Sequence, residues 1–378
     1  MRVLYWTQLF WPYVGGVEIA AARLLPALQP RGYVFEVVTS HGSLALPDED
    51  LFDEDIPIHR FDFYTALAKR QPAQVLALNR RLSQVKQEFK PNLIHVNFTD
   101  PSIFFHVRTA AAHPAPLLVS FRIAVETEAA AGQQTLLRQV LQSADWVLAN
   151  SNAILGDLRE LEPGIVGHSS IIYECGDLPD LEPAPLPFEE PVLLCLGRVV
   201  EDKGFDVAVD AFARLADRFP AARLVIAGDG PARPALEQQA ATLGIAQRVQ
   251  FTGWIAPEQT PAIINTATLV LMPSRWREAF GKVALEAAQM ARPVVAARVG
   301  GLPEIVVHGQ TGMLFEREDS RSLAQAVAFL LDRPAVAASL GRAARERAQA
   351  AFGWASYLDA YDELYRKLIQ EKSFHESS

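Results

Sequence analysis

Two cations, Arg198 and Lys203, sit five residues apart in Gly197-Arg198-Val199-Val200-Glu201-Asp202-Lys203-Gly204, directly after the apolar run Val192–Leu196. A diphosphate needs two positive partners, one of them preferably able to offer a fork of hydrogen bonds. A solvated loop with incidental charges is the competing reading of the same residues. At the next strand end, Ile226-Ala227-Gly228-Asp229-Gly230-Pro231 contains a Gly-Asp-Gly turn that lets backbone approach closely, with Asp229 itself readable as a plain turn residue. The most informative stretch is Pro273-Ser274-Arg275-Trp276-Arg277-Glu278-Ala279-Phe280-Gly281-Lys282-Val283-Ala284-Leu285-Glu286-Ala287. A helix should begin near Phe280 and Gly281, where free amides favour a phosphate. Glu278 and Glu286 lie eight positions apart, ~80° out of alignment on one helix. They share a ligand only if Glu278 is in the loop and Glu286 on the helix. Carboxylates suit the vicinal hydroxyls of sugars, because each accepts several hydrogen bonds. A pair of surface glutamates is the alternative, but Glu286 stands among Ala284, Leu285, Ala287 and Ala288, a poor setting for a solvated face. Near the N-terminus, Gly15-Gly16 opens a helix after the aromatic run Trp6–Tyr13, an anion-compatible turn.

These residues need a scaffold of strand ends and helix starts, and the sequence supplies one. Apolar strand-length runs alternate with helical patterns throughout. In the first half they are Val3–Thr7, Val34–Thr39, Ile56–Phe61, Leu93–Phe98, Leu117–Phe121 and Trp146–Ala149, with a helix at about Val17–Leu28. In the second half they are Val192–Leu196, Ala222–Ala227, Val249–Thr252, Leu269–Met272 and Val294–Ala297. Near-continuous apolar strands alternating with helices predict parallel sheets in two doubly wound, Rossmann-like α/β domains. Ligands then bind at the carboxyl ends of the strands. The segment Asp177–Pro191 holds five prolines among acidic residues and reads as an interdomain linker. The resulting divisions are a first domain over 1–178, a linker over 179–191, a second domain over 192–353 and a terminal helix over 354–371. That helix carries Trp354, Tyr357, Leu358, Tyr361, Leu364, Tyr365 and Leu368 at helical spacing and must dock on something. The tail Ser373–Ser378 reads as frayed.

Composition narrows the function. The chain has 378 residues, half of them hydrophobic and 21% charged, which is ordinary for a folded protein of about two domains. A net charge of −9, spread over both halves, counts against general nucleic-acid binding. Two cysteines, Cys175 and Cys195, make no disulfide framework, and no Cys/His spacing suggests a metal site. No apolar run approaches the ~20 residues of a membrane span. The opening Met1–Tyr5 enters a strand directly, so no signal peptide is expected and the expected location is cytoplasmic. No strand is followed by a GxGxxG fingerprint, which argues against a nicotinamide enzyme.

With these motifs in order, the chain closely resembles glycosyltransferase family 4, the retaining enzymes of the two-domain GT-B fold. The resemblance runs through Gly15-Gly16-Val17-Glu18, Gly197-Arg198 with Lys203-Gly204, Gly228-Asp229-Gly230-Pro231 and Phe251-Thr252-Gly253-Trp254. It continues through Glu278 and Glu286 as the family's E-x7-E motif to Gly300-Gly301-Leu302-Pro303-Glu304-Ile305-Val306. It implies that the second domain binds a nucleoside diphosphate sugar as donor substrate. Arg198 and Lys203 would hold the diphosphate and stabilise the leaving nucleotide, and Glu278 would contact the sugar. The amides of Phe280 and Gly281 would meet a phosphate, Glu286 the ribose, and the loop Gly253–Ile255 the base. Gly228 lines the same site, and Gly16 would approach from the first domain. The terminal helix would return to the first domain. The acceptor would be a glycan, a lipid-linked or a small-molecule hydroxyl. Family members generally use no resident metal or cofactor, and two cations with a helix terminus are a physical substitute for one. A sugar-nucleotide epimerase of the same fold and a non-catalytic sugar-nucleotide binder are the rival readings.

The resemblance breaks on the acceptor side. After Leu117–Phe121, many members place a histidine where this chain has Arg122. Leu93-Ile94-His95-Val96-Asn97-Phe98 keeps one histidine where some relatives have two, and Tyr173-Glu174-Cys175-Gly176-Asp177 replaces a frequent Asn-Gly turn. His95, Asn97 and Arg122 are the expected acceptor-side residues, with Arg122 a binder of anionic groups and not a base. Residues 69–90 hold Lys69, Arg70, Arg80, Arg81, Lys86 and Lys90 against Glu88 alone. This stretch reads as the solvated face of a helix, with peripheral membrane contact as the alternative.

Overall fold

The computed structural model describes residues 1–13, 15–69, 71–97, 102–124, 131–176, 179 and 181–375. Phe98, Arg70, Asp177 and its neighbours Leu178 and Asp180, and positions 376–378 of the tail lie outside the described residues. By its contacts the chain divides into two units, Met1–Ile172 with the residues from Tyr357 onward, and Tyr173–Ser356.

The first unit is built on β1 (Arg2–Trp6), β2 (Val34–Ser40), β3 (Glu49–Phe52), β4 (Ile56–Phe61), β5 (Leu93–Asn97), β6 (Leu117–Phe121), β7 (Trp146–Ala149) and β8 (Ser169–Ile171). They lie in the order β3-β4-β2-β1-β5-β6-β7-β8. All neighbours run parallel except β3 and β4. The second unit has β9 (Val192–Leu196), β10 (Arg223–Ala227), β11 (Val249–Gly253), β12 (Leu269–Met272), β13 (Val294–Ala297) and β14 (Gly312–Phe315). This sheet is wholly parallel, in the order β11-β10-β9-β12-β13-β14. Central strands are apolar without alternation because helices cover both faces. On β9, Leu193 pairs with Leu224 of β10 and Leu269 of β12, and all three are buried.

Both sheets reverse direction at a central strand. From β9 the chain winds outward through β10 and β11, then returns to the other side of β9 at β12. The loops leaving the carboxyl ends of β9 and β12 therefore turn to opposite faces and open a crevice between them.

Three strands escaped the sequence reading. β3 is an acidic edge strand that doubles back on β4 through Asp53 and Glu54, both with positive φ. That turn geometry is normally signalled by Asn-Gly or Asp-Gly. β8 and β14 are short strands at the sheet edges.

The domain boundary also moves. The sequence placed it at 178, but Tyr173 already belongs to the second unit. Its ring lies 6.0 Å from Phe280 and 5.4 Å from Phe352. The proline-rich segment is not a free linker either. Arg292, almost wholly buried, donates to the carbonyls of Ala184, Ile264 and Asn265. Asn265 in turn donates to the Glu182 carbonyl and accepts from the Ala184 amide, while Thr268 donates to Pro187. Side-chain hydrogen bonds thus fix a segment that has no periodicity of its own.

The terminal helix, Trp354–His375, buries Tyr357, Tyr361, Tyr365 and Leu368 on one face against the first unit. Arg31 pairs with Asp359 at 2.6 Å and Asp362 at 3.3 Å, and the Tyr33 hydroxyl donates to Asp362 at 2.7 Å. Among the described residues no single helix is long and apolar enough to cross a membrane.

Candidate functional site

The β9 and β12 loops carry the chemistry into their crevice. After β9, Gly197 and Val199 are tied by their amides to the carbonyls of Ala227 and Asp229. Gly228 has φ +138°, and a Cβ there would stand 1.9 Å from the Gly197 carbonyl oxygen, so only glycine lets these loops touch. The Gly228 amide also donates to Gly253 O at 2.9 Å, joining the β11 loop to the group. Ile255 in that loop packs against the core, and Trp254 is exposed. Arg198 is exposed, and its guanidinium makes no hydrogen bond or ion pair among the described residues.

Lys203 differs. Its ammonium donates to Glu278 Oε1 at 2.5 Å, and the Ser274 hydroxyl donates to the same oxygen at 2.7 Å. The two charged side chains are 26% and 17% exposed, so the pair is partly sheltered yet reachable. The backbone around it is fixed. The Gly301 amide donates to Glu278 O at 2.8 Å, and Gly300, at φ +53°, has no room for a Cβ, which would stand 2.1 Å from that oxygen. Arg275 forks onto Asp206 and pairs with Glu318 at 3.2 Å, and its backbone amide donates to Asp202 O at 2.9 Å, binding the β12 loop to the β9 loop. The sequence reading passed over Ser274 and Arg275. A serine two residues after a buried strand and four residues before a glutamate was the available signal.

The helix Lys282–Gln289 follows, with Gly281 as its N-cap at φ +110°. Neither the Phe280 nor the Gly281 amide donates a hydrogen bond among the described residues. Phe280 itself is core, 5.7 Å from Phe352, so its side chain is not available to a ligand. Glu286 is half-buried and its carboxylate has no hydrogen-bond partner among the described residues. Burial pushes its pKa up, against the opposing pull of Lys282. A desolvated, unpartnered carboxylate is costly in a folded chain and marks a place where a ligand supplies the donors. This end of the sheet can therefore hold a polyanion on Arg198, Lys203 and two free amides, and hydroxyls on two carboxylates. Among the described residues no group of three or more His, Cys, Asp or Glu side chains could hold a metal ion.

The first unit corrects the acceptor-side expectation. His95 is fully buried, and both ring nitrogens are engaged. The donors form one directed chain. The Tyr365 hydroxyl donates to His95 Nδ1 at 2.6 Å, and His95 Nε2–H donates to Ser120 Oγ at 2.9 Å. Ser120 donates to Asn97 Oδ1 at 2.6 Å, and the Asn97 amide donates to Tyr5 Oη. Burial, with the Arg122 charge nearby, holds the His95 pKa well below its usual range, so the ring is neutral. His95 and Asn97 are thus buried links between strands and the terminal helix, with no exposed face for an acceptor. Arg122, 9% exposed, donates through one terminal nitrogen to Tyr357 Oη at 2.7 Å and Tyr361 Oη at 2.8 Å. It ties the terminal helix to the end of β6, the two phenols accepting from one terminal nitrogen of a buried guanidinium. Gly16 is the exposed first residue of the helix Gly16–Leu28, and Gly15 takes the extended cap conformation.

The basic stretch does not act as one surface. Arg81 pairs with Asp48 and Glu49, and Lys86 is fully buried, donating to Thr109 Oγ1 at 2.9 Å. Lys69, Arg80 and Lys90 are exposed.

Comparison with known proteins points one way. The model described as Glycosyltransferase Family 4 matches residues 14–173, and that described as Glycosyl transferases group 1 matches residues 180–347. The chain is 28% identical over 393 aligned residues to a D-inositol 3-phosphate glycosyltransferase of Streptomyces avermitilis, covering 94% of this chain and 84% of that one. It is 39% identical over 172 residues to a GDP-mannose-dependent alpha-(1-6)-phosphatidylinositol monomannoside mannosyltransferase of Mycolicibacterium smegmatis, covering 44% and 45% of the two chains. Among solved structures, the sucrose-phosphate synthase of Thermosynechococcus elongatus superposes with a TM-score of 0.81 at 23% identity, covering 98% of this chain and all of that one. Anabaena Alr3699/HepE in complex with UDP gives 0.80 at 24% identity, covering 97% and 100%.

Proposed function

The chain belongs to glycosyltransferase family 4, with the GT-B fold, and from that premise we propose that it takes its sugar from a nucleoside diphosphate donor and transfers it to a hydroxyl with retention. The observation that carries the donor assignment is the unpartnered, half-buried Glu286 on a helix with free N-terminal amides, after β12, beside the β9 loop that presents Arg198 and Lys203. One carboxylate short of donors and two cations on the loop after one strand suit a ribose and a diphosphate together. The name of the mannosyltransferase, similar over 172 residues, supports the same donor class.

In this reading Arg198 and Lys203 hold the diphosphate, aided by the amides of Phe280 and Gly281. Glu286 accepts from the ribose hydroxyls and Glu278 from the sugar. Gly228 lets the backbone close on the ligand, and the Gly253–Ile255 loop borders the base. The bond from C1 to the phosphate oxygen breaks while C1 bonds to the acceptor oxygen on the same face. The acceptor's proton passes to the departing phosphate. Catalysis comes from stabilising the leaving diphosphate by fixed charge, so no resident metal is assigned. Screening UDP-, GDP- and ADP-sugars by calorimetry, then reading the anomeric configuration of the product by NMR, tests both halves. An inverted product would remove the retaining assignment, and transfer from a lipid phosphate alone would remove the donor assignment.

A further inference from the structure

Lys203 and Glu278 both face the proposed donor, yet in the free protein they hold each other. We propose that this pair makes the enzyme prefer the intact donor to the spent nucleotide, with Glu278 acting as the element that expels the nucleoside diphosphate product. This role rests on the donor-site reading above.

The geometry is asymmetric. Arg198 is uncompensated, whereas Lys203 is neutralised at 2.5 Å. Ser274 binds the same Glu278 oxygen, leaving Oε2 without a hydrogen bond among the described residues. The backbones on both sides are pinned, by the Gly301 amide on Glu278 O and by the Lys203 amide on Val200 O at 3.1 Å. Only the side chains are free to exchange partners.

A bare nucleoside diphosphate must take Lys203 from Glu278. It then leaves an anionic carboxylate beside its own negative charge, with nothing donating to the carboxylate except Ser274. An intact donor brings sugar hydroxyls that donate to the same carboxylate, so the ammonium is released to the diphosphate at lower cost. Once the sugar has left with the acceptor, Glu278 loses those donors and reclaims Lys203. The grip on the product falls at the step where product must depart.

The test titrates UDP, GDP and ADP, and their sugars, into the parent protein, Glu278→Gln, Lys203→Met and the double variant, with Arg198→Ala as the control for the donor site. Glu278→Gln should bind the bare diphosphate about fivefold to tenfold tighter, a gain lost in the Lys203→Met background. Its stopped-flow product release should slow, and its transfer rate should fall. Glu278→Asp, which keeps the charge but draws it back from Lys203, provides a second variant if the glutamine fails to fold, and should show a smaller gain in the same direction. If Arg198→Ala weakens diphosphate binding while the Glu278 variants leave it unchanged or weaker, the expulsion role is wrong and the donor site stands. If Arg198→Ala has no effect on binding, the donor-site reading itself fails.

Discussion

Replacing Arg122 by methionine is expected to loosen the terminal helix and not to abolish acceptor recognition directly. The guanidinium donates to two buried phenols at 2.7 and 2.8 Å. Hydrogen bonds involving a charged group contribute about 1.5–3 kcal/mol each, so their gross worth is roughly 3–6 kcal/mol. Methionine also removes the cost of burying the cation, which leaves a net loss of about 2–4 kcal/mol. For a unit of this size, that corresponds to roughly 4–16 °C in the melting temperature. Hydrogen exchange gives the sharper readout, because the loss should concentrate in the amides around Tyr357–Tyr365. Arg122→Lys should fall between, since an ammonium keeps the charge but not the planar reach to both phenols. Unchanged helix protection and melting in Arg122→Met, together with a raised acceptor KM, would refute the anchoring role, because that is the signature of a side chain that meets substrate.

Two further expectations concern buried charge. Burial raises the Glu286 pKa, so the native state binds a proton more tightly than the unfolded chain. Stability then falls as pH rises from the unfolded to the folded pKa, and a penalty persists at neutral pH. Glu286→Gln should therefore raise the melting temperature at pH 7 while weakening nucleoside diphosphate binding by at least tenfold, and parent binding should fade with acidification earlier than an ordinary carboxylate would dictate. A stable variant with unchanged nucleotide affinity would separate Glu286 from the ribose. Lys86, fully buried, is pushed down to about 7 by desolvation. Between that value and its unfolded pKa only the unfolded chain holds the proton, so stability should climb with pH across about 7 to 10 and stay at its lower level below it. The span amounts to about 5 kcal/mol. Lys86→Met should flatten that slope in denaturant melts, and an unaltered slope would place the titration elsewhere.

The strands that were legible are those buried on both faces, such as Val192–Leu196 and Leu269–Met272, whose unbroken apolar character is what cover by helices on both sides requires. β3 was not legible, because an edge strand of sequence Glu-Asp-Leu-Phe gains its place from a turn and from pairing with β4. The residues proposed to hold the donor stood out because they lie in or just after short loops that follow those legible strands. Their coupling did not, since Lys203 and Glu278 are 75 residues apart and meet only because β9 and β12 flank the switch point. His95 and Arg122 misled for the same reason. Their partners Tyr365, Tyr357 and Tyr361 sit on a helix more than 200 residues away. The aromatic face of that helix was visible in the sequence, but its hydroxyls gave no sign of which buried polar groups they would satisfy.

The most direct test of the donor site is calorimetry with each nucleoside diphosphate, in the presence of a chelator, on the parent protein and on Arg198→Ala, Glu286→Gln and Arg122→Met. The structure predicts that one nucleotide binds the parent without added metal. It predicts at least tenfold weaker binding to Arg198→Ala and Glu286→Gln, and unchanged binding to Arg122→Met, whose side chain is occupied by the terminal helix. Binding that ignores Arg198 and Glu286, or that disappears with the Arg122 change in a folded variant, would contradict the placement of the donor on the β9 and β12 loops.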